Sequence, residues 1–433
     1  MPESKKRKRK TSKQTKIMET ENDVLYESCA GLDVHQETVV ACVLFGPLDR
    51  RPKKVVETFS TLTAGLLELS DFLSEYNVTH VAMESTSVYW KPVWNVLEGS
   101  FTLLLANART IKNIPGRKTD VKDAEWIAKL LRNGLIESSF VPPEPIRDLR
   151  DMTRYRKKLL GNLTAEKNRI HKLLQDANIK LTTYITDIFG VTGRNLLQAI
   201  INGEKIEDKD LDVLVKGSLR NKIPELKDAL NSRLRKHHRE MISFCWKHIE
   251  ALEQLIANLG ARITQALTPF QAEVELLKSL SLIKDNTAAV IISELGTNMD
   301  VFPSAKHISS WAGLSPGNNE SAGKKKGSKS TYGNAALKSA LVQCAHAAQR
   351  KRGTRLNALF WRITKKHGKK KAAVATAHEI LIIVYYMLSQ KTPYHELGED
   401  YFKKKQTKSF EDAAIKLLTK KGYVINLPEG KSA

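Results

Sequence analysis

Four acidic residues stand at the ends of predicted secondary-structure elements in the first third of the chain. Asp33 and Glu84 each end a short apolar segment that predicts a buried strand. Asp120 and Asp123 are spaced i, i+3 at the start of a helical pattern, so both carboxylates face the same way. Carboxylates that meet in one fold repel each other unless a cation neutralises them. The leading hypothesis is therefore Mg²⁺ chemistry on phosphate.

The elements around these acids follow the order βββαβαβα, which is the layout of the RNase H-like fold. That fold places acids at the ends of its first and fourth strands and on a late helix. Taken singly, Asp33 also suits a strand-end turn, and Asp120 and Asp123 suit a helix N-terminus. The presence of all four acids in this order is less easily explained by chance. The predicted strands are 26–33, 38–45, 54–61, 79–84 and 101–106, and the predicted helices are 66–76, 88–97 and 120–132.

The charge balance indicates a polyanionic partner. Lys and Arg total 70 against 47 Asp and Glu, which gives a formal net charge of +23. Residues 1–20 carry eight Lys or Arg and two Glu, whereas residues 324–371 carry fifteen Lys or Arg and no acid. A solvated helix face normally mixes both signs. The distribution therefore favours nucleic-acid contact over an ordinary basic surface.

Cysteine spacing and hydropathy indicate a protein of a reducing, aqueous compartment. The four cysteines are far apart and lack CxxC spacing, so we expect small core residues and not zinc ligands or disulfides. The longest clean apolar run, Ile380 to Leu388, is far shorter than the ~20 residues of a membrane span. We therefore expect no membrane partner.

Beyond Val141-Pro-Pro-Glu-Pro145 the pattern becomes helical. Residues 146–177 have apolar positions near three-four spacing, and 242–263 have strict a/d spacing over three heptads. Two such helices can fold back as an antiparallel hairpin or pair with another copy of the chain, and each alone also suits an ordinary core helix. Residues 181–235 between them predict an inserted helical subdomain.

A loop rich in Gly, Ser and Lys is predicted at 315–334, between short helices and two apolar helices at about 335–349 and 372–388. Ser321 in this loop is a candidate nucleophile that needs activation by a metal or base. Composition alone does not prefer it over Ser315, Ser328 or Ser330, and a flexible loop that touches phosphates nonspecifically is the alternative. The predicted phosphate contacts are Lys118, Lys324, Lys325, Lys326 and Lys329.

The chain resembles the DEDD transposases of the insertion-sequence-110 family, the bridge-RNA-guided recombinases, from about residue 25 to 402. The first domain resembles theirs through Gly31-Leu-Asp-Val-His35, Met83-Glu-Ser-Thr-Ser-Val-Tyr-Trp90, Asn107-Ala-Arg109 and Lys118-Thr-Asp-Val-Lys-Asp-Ala124. The last domain resembles theirs through Trp311-Ala-Gly-Leu-Ser-Pro316, Glu320-Ser-Ala-Gly323 and Tyr332-Gly-Asn-Ala-Ala-Leu337.

The resemblance implies an RNA-guided transposase that cuts and rejoins DNA. Asp33, Glu84, Asp120 and Asp123 would bind Mg²⁺ or Mn²⁺ in a RuvC-like domain, and Ser321 would form a covalent phosphoserine link. Acids and serine would come from different subunits of a homodimer or homotetramer. A structured noncoding bridge RNA would pair with donor and target DNA. We expect a cytoplasmic, nucleoid-associated protein of a prokaryote.

The implied fold class is α/β plus α: a RuvC-like N-terminal domain, a coiled-coil-like helical middle and a mainly helical C-terminal transposase domain. One departure is that Ser281-Leu-Ile-Lys284 replaces a Pro-Gly-hydrophobic-Gly hairpin of short family members, which puts a hairpin-type DNA contact there in doubt. The predicted domains are a basic tail 1–24, a DEDD domain 25–140, a helical region 141–275 with the insert 181–235, a transposase domain 276–402 and a tail 403–433.

Two other functions remain open on the residues. A RuvC-like junction nuclease would use the acids with water as nucleophile, and Ser321 would then be dispensable. A non-catalytic protein of a mobile element would bind RNA or DNA structurally, although the presence of all four acids speaks against such decay.

Overall fold

The computed structural model describes residues 24–85, 87–108, 111, 123–204, 208–231, 234–317, 319–321, 324–327, 330 and 332–421. Contacts within the chain divide it into two compact units, Met1–Val141 and Pro142–Ala433. The first unit is mixed α/β and the second is mostly helical.

The first unit contains a five-stranded mixed sheet, as the sequence predicts. Its spatial order is β3-β2-β1-β4-β5. The first three strands form an antiparallel meander, while β1, β4 and β5 run parallel. The strands are β1 (Ser28–Val34), β2 (Thr38–Phe45), β3 (Lys53–Ser60), β4 (His80–Glu84) and β5 (Thr102–Ala106).

Helices cover both faces of this sheet. Helices α1 (Thr63–Glu75) and α2 (Trp90–Leu97) pack on one face, and α3 (Asp123–Arg132) packs on the other. Side chains alternate along a strand. Ala30 and Leu32 therefore pack in the core beneath α1 and α2, while Cys29 packs in the core beneath α3. The face that carries α3 is therefore also the face of Gly31 and Asp33.

Two contacts fix α3 against the sheet. A Cβ atom at Gly31 would lie within 3.0 Å of the backbone of Ala124 and Ala128, so only glycine admits the helix at this depth. At the other end, the buried guanidinium of Arg132 donates to the carbonyl oxygens of Glu27 at 2.9 Å and of Gly46 at 3.0 Å.

The second unit begins with a long antiparallel pair, α4 (Glu144–Asp176) and α9 (Lys236–Ala266). The buried ring of His238 lies 2.9 Å from Asp176, and further along the pair His248 lies 3.3 Å from Glu166. The hairpin within one chain, one of the alternatives that the sequence leaves open, is therefore present in the structure. The described part of the connection between its arms contains the α-helices α5 (Leu181–Tyr184), α6 (Val191–Asn202), α7 (Asp208–Leu214) and α8 (Ile223–Leu230).

The described part of the second unit continues with seven α-helices: α10 (Gln271–Lys278), α11 (Asp285–Leu295), α12 (Ala305–Trp311), α13 (Ala335–Arg350), α14 (Arg355–His367), α15 (Lys369–Gln390) and α16 (Tyr401–Lys420). The sequence prediction contains no helix at 355–367, where α14 forms. Among the described helices, α15 alone has the length and hydropathy to cross a membrane, and more than half of that stretch is buried in the protein, as in a core helix.

The close approach at Gly31 predicts the sign of two glycine substitutions. Gly31→Ala should lower the free energy of unfolding by about 1–3 kcal/mol, because the new methyl group meets helix backbone that cannot rotate away. Gly161→Ala, in α4, should raise it by about 0.5–1 kcal/mol, because nothing lies within 4 Å of its Cβ position and alanine favours a helix. Denaturant unfolding measures both, and a neutral Gly31→Ala would contradict the packing.

Candidate active site

Asp33 and Glu84 are neighbours at the carboxyl ends of two parallel strands. Leu32 pairs with Met83 in the register of β1 and β4, so the next residue of each strand is an acid. Both acids lie on the α3 face, because Leu32 and Met83 belong to the opposite core. The sheet thus brings two half-buried carboxylates to neighbouring positions.

Asp123 joins this pair as the first residue of α3. Burial raises the pKa of the Asp33 carboxyl, and the negative charges of Asp123 and Glu84 add to this, whereas nearby His35 lowers it. The His35 Nε2 atom lies 3.3 Å from Asp33 Oδ2. Three carboxylates therefore share one electrostatic environment at this edge of the sheet.

The donor set suits a hard divalent cation, since Mg²⁺ prefers carboxylate oxygens and takes few protein ligands. In the described part of the chain, however, no three His, Cys, Asp or Glu side chains are close enough to share a metal ion. Asp120, predicted as the fourth ligand, lies outside the described residues, as do Lys118 and Lys329. The described acids therefore concentrate negative charge at this sheet edge, and their role as metal ligands stays a prediction.

Ser321 lies in a pair of short antiparallel strands, where the sequence predicts a loop. Strand β6 (Asn319–Ser321) pairs with β7 (Lys324–Gly327), and Ser321 is the partner of Lys324 in the register. Backbone pairing of this kind explains the difference, because it needs no apolar pattern in a Gly- and Lys-rich segment. Lys325 and Lys326 follow in the same strand.

The base of this hairpin is fixed by backbone packing. Pro316 and Ser330 form an antiparallel bridge, and Lys338 Nζ donates to Ser330 Oγ at 2.6 Å and to the Gly313 carbonyl at 2.8 Å. A Cβ atom at Gly333 would overlap the backbone from Trp311 to Gly313. The segments on both sides of Ser321 are thus clamped to each other.

Comparison with protein-family models decides the family. A model of IS110-type DEDD transposases matches residues 30–179, and the model described as "Transposase IS116/IS110/IS902 family" matches residues 274–360. Together they match more than half of the chain and include both segments described above. The chain belongs to the IS110 family of transposases. Comparison with individual curated proteins gave no match.

Membership makes the protein an enzyme that acts on DNA in transposition and recombination. In this transposase the first match contains Asp33, Glu84 and Asp123, and the second contains Ser321. The functional-class prediction is therefore confirmed, while the individual roles of these residues stay predictions.

A buried carboxylate, which sequence reasoning missed, supports the serine segment of the transposase. Glu294 is fully buried and accepts two hydrogen bonds from the Arg154 guanidinium, each of 2.8 Å. Asn334 Nδ2 donates to Glu294 Oε2 at 2.6 Å, while Asn334 Oδ1 accepts from the Leu337 amide and caps α13. Helix α4, helix α11 and the end of the hairpin segment therefore meet at one side chain.

Two glycines inside the family motifs also help to position the site residues, although sequence reasoning does not identify them as such. Gly31 admits α3 and so positions Asp123, and Gly333 closes the hairpin base. A glycine in a strand interior or beside a cap signals close backbone approach, but the approaching segment is identified only by the fold.

The double role of Asn334 predicts an unusual result for a capping substitution. Asn334→Asp keeps the cap acceptor but places a second carboxylate against buried Glu294. It should therefore lower Tm more than Asn334→Ala, which loses the cap, worth about 1 kcal/mol, and the hydrogen bond to Glu294. Adding Glu294→Gln should recover part of the loss. Thermal unfolding measures each variant.

The matched control is Ser304→Asp, which exchanges the cap of α12 beside His307. It should leave Tm almost unchanged, because aspartate and serine cap about equally well. An Asn334→Asp protein as stable as wild type would show that Glu294 does not depend on the amide.

Proposed function

We propose that the transposase is an RNA-guided recombinase that exchanges DNA strands through Ser321 and a carboxylate-bound divalent metal. The observation that supports this proposal is the electrostatic coupling of Asp33 with Glu84 and Asp123 at one sheet edge, in a chain whose second family match contains the Ser321 hairpin. Clustered carboxylates without a cation would only destabilise the fold.

The first unit is proposed to be a RuvC-like domain with 25–140 as its extent. The support is the sheet itself, with its antiparallel meander followed by two parallel strands on the other side of β1. The remaining proposed divisions are the helical region 141–275 with its insert 181–235, the transposase domain 276–402, and the tails 1–24 and 403–433.

In the proposed reaction, Ser321 Oγ attacks a DNA phosphorus and loses its proton to a base. A phosphoserine ester forms, the bond from phosphorus to the 3′ oxygen breaks, and the released 3′ oxygen takes up a proton. When bound, Mg²⁺ or Mn²⁺ would stabilise the charge on the attacking and leaving oxygens. Asp33, Glu84, Asp120 and Asp123 would hold that cation, and the cation would offset their mutual repulsion.

Ser321 and the acids are proposed to act across subunits of a homodimer or homotetramer, as the resemblance implies. Lys324, Lys325 and Lys326 in the hairpin strand, with Lys118 and Lys329, would contact phosphates. A guide RNA and both DNA partners suit the net charge of +23, since base pairing would carry specificity and the protein would hold backbones. The proposed location is the cytoplasm of a prokaryote, at the nucleoid.

The proposal predicts that Ser321→Ala abolishes both recombination and the covalent protein–DNA adduct. The substrate is a plasmid that carries the native element with its flanking DNA, and denaturing gels detect the adduct. Ser328→Ala, a serine of the same segment, should retain both activities. Asp33→Asn should also abolish them, because the carboxylate charge is lost.

Cleavage that persists in Ser321→Ala without an adduct would contradict the serine mechanism and support a junction nuclease that uses water. If the Asp33→Asn and Glu84→Gln variants still support recombination, the result would instead favour a non-catalytic protein that binds RNA or DNA. Sequencing of RNA that copurifies with the wild-type protein tests guidance separately, and absence of an element-encoded RNA would contradict it.

A further inference from the structure

A cleft of about 150 Å³ opens within the second unit, between helices α4, α11 and α13. Three basic side chains of α4 line it, namely Arg154, Arg156 and Lys157. Sequence spacing does not point to it, because its walls come from three segments far apart in the chain, 153–160, 286–294 and 336–343. We call it the α4 cleft.

Charge within the α4 cleft is unbalanced. Glu294 is the one acid in its lining, and that carboxylate is already engaged by Arg154 and Asn334. Neither Arg156 nor Lys157 forms an ion pair in the described part of the chain. The Nε atom of Arg156 is buried and has no hydrogen-bond partner there. An unpaired buried donor is unfavourable, and a bound anion would offset that cost.

Neutral donors complete the lining. Asn286 and Thr287 stand in the first turn of α11, and Ser339 stands in α13. Amide and hydroxyl side chains can donate hydrogen bonds to an anion. The N-terminus of a helix also favours negative charge, through the dipole of its backbone. The volume is below the ~300–1,000 Å³ typical of a drug-sized ligand, so it suits a single phosphodiester group with its waters.

We propose that the α4 cleft binds one backbone phosphate of a nucleic acid. This inference rests on the proposed function, because that nucleic acid is a substrate or guide of the transposase. The cleft borders α13, whose cap Asn334 closes the hairpin segment of Ser321. A phosphate held there would fix the strand to the helices that frame the serine. DNA and RNA share this chemistry, and the probes distinguish them.

Adjacent lysines of α4 provide a matched test. Lys157 lines the cleft, whereas Lys158 is exposed on the same helix and does not line it. Lys157→Gln, Arg156→Gln and Lys158→Gln remove the same charge from the full-length protein. Each is made in a Ser321→Ala background and measured without divalent metal, so that binding is recorded without DNA cleavage by either the serine or the water mechanism. Fluorescence anisotropy over a salt series is recorded with a DNA duplex and with a stem-loop RNA.

Lys157→Gln and Arg156→Gln should each reduce the slope of log K against log salt by about 1 for at least one probe, with several-fold weaker binding. Lys158→Gln should change neither quantity. Loss with one probe identifies that nucleic acid as the ligand, and Arg156→Lys should restore part of the affinity if charge suffices.

Equal losses in all three variants would overturn the proposal in favour of a diffuse basic surface, and no loss in Lys157→Gln would overturn it outright. Thermal unfolding shows whether Arg156→Gln folds, and Lys157→Gln, at an exposed position, decides the case if it does not. Because the readout is binding, failure of the serine mechanism would leave these results interpretable.

Discussion

The contact between Gly31 and the backbone of α3 is the constraint on which the acidic site depends. Only a residue without a Cβ lets Ala124 and Ala128 approach β1 this closely. That approach places the first residue of α3, Asp123, beside the acids that end β1 and β4. Apolar packing beneath α3 and the hydrogen bonds of Arg132 keep the helix there. The first unit thus uses core packing to hold like charges near each other, an arrangement that a bound cation would stabilise.

The second unit solves a similar problem with a buried ion pair. Glu294 has no exposure, so its charge must be matched inside the protein, and Arg154 matches it with two parallel hydrogen bonds. Asn334 ties the same carboxylate to the cap of α13. A buried ion pair of this kind contributes little net stability, but it favours one arrangement of the surrounding segments. If either partner is lost, the other remains as an unpaired buried charge. Here the arrangement defined is the base of the segment that contains Ser321.

The strands of the sheet could be predicted well from the sequence, because a buried strand leaves a short apolar run that ends where polar residues begin. Sequence reasoning could not assign a role to Gly31, since its contact lies about ninety residues downstream and depends on how deeply a helix packs. The heptads of α9 carry the same period whether the partner is α4 or a second chain, so the pattern alone left both open. The paired strands at Ser321 were missed for the opposite reason: backbone pairing in a Gly- and Lys-rich segment leaves no hydropathy signal.

The most direct test of the account is anomalous diffraction from crystals of the full-length protein grown with Mn²⁺. The account predicts at least one ion within coordination distance, ~2.0–2.2 Å, of both Asp33 and Glu84, with Asp123 or Asp120 completing the site. Ions bound elsewhere, with Asp33 and Glu84 left without a shared cation at saturating Mn²⁺, would contradict it.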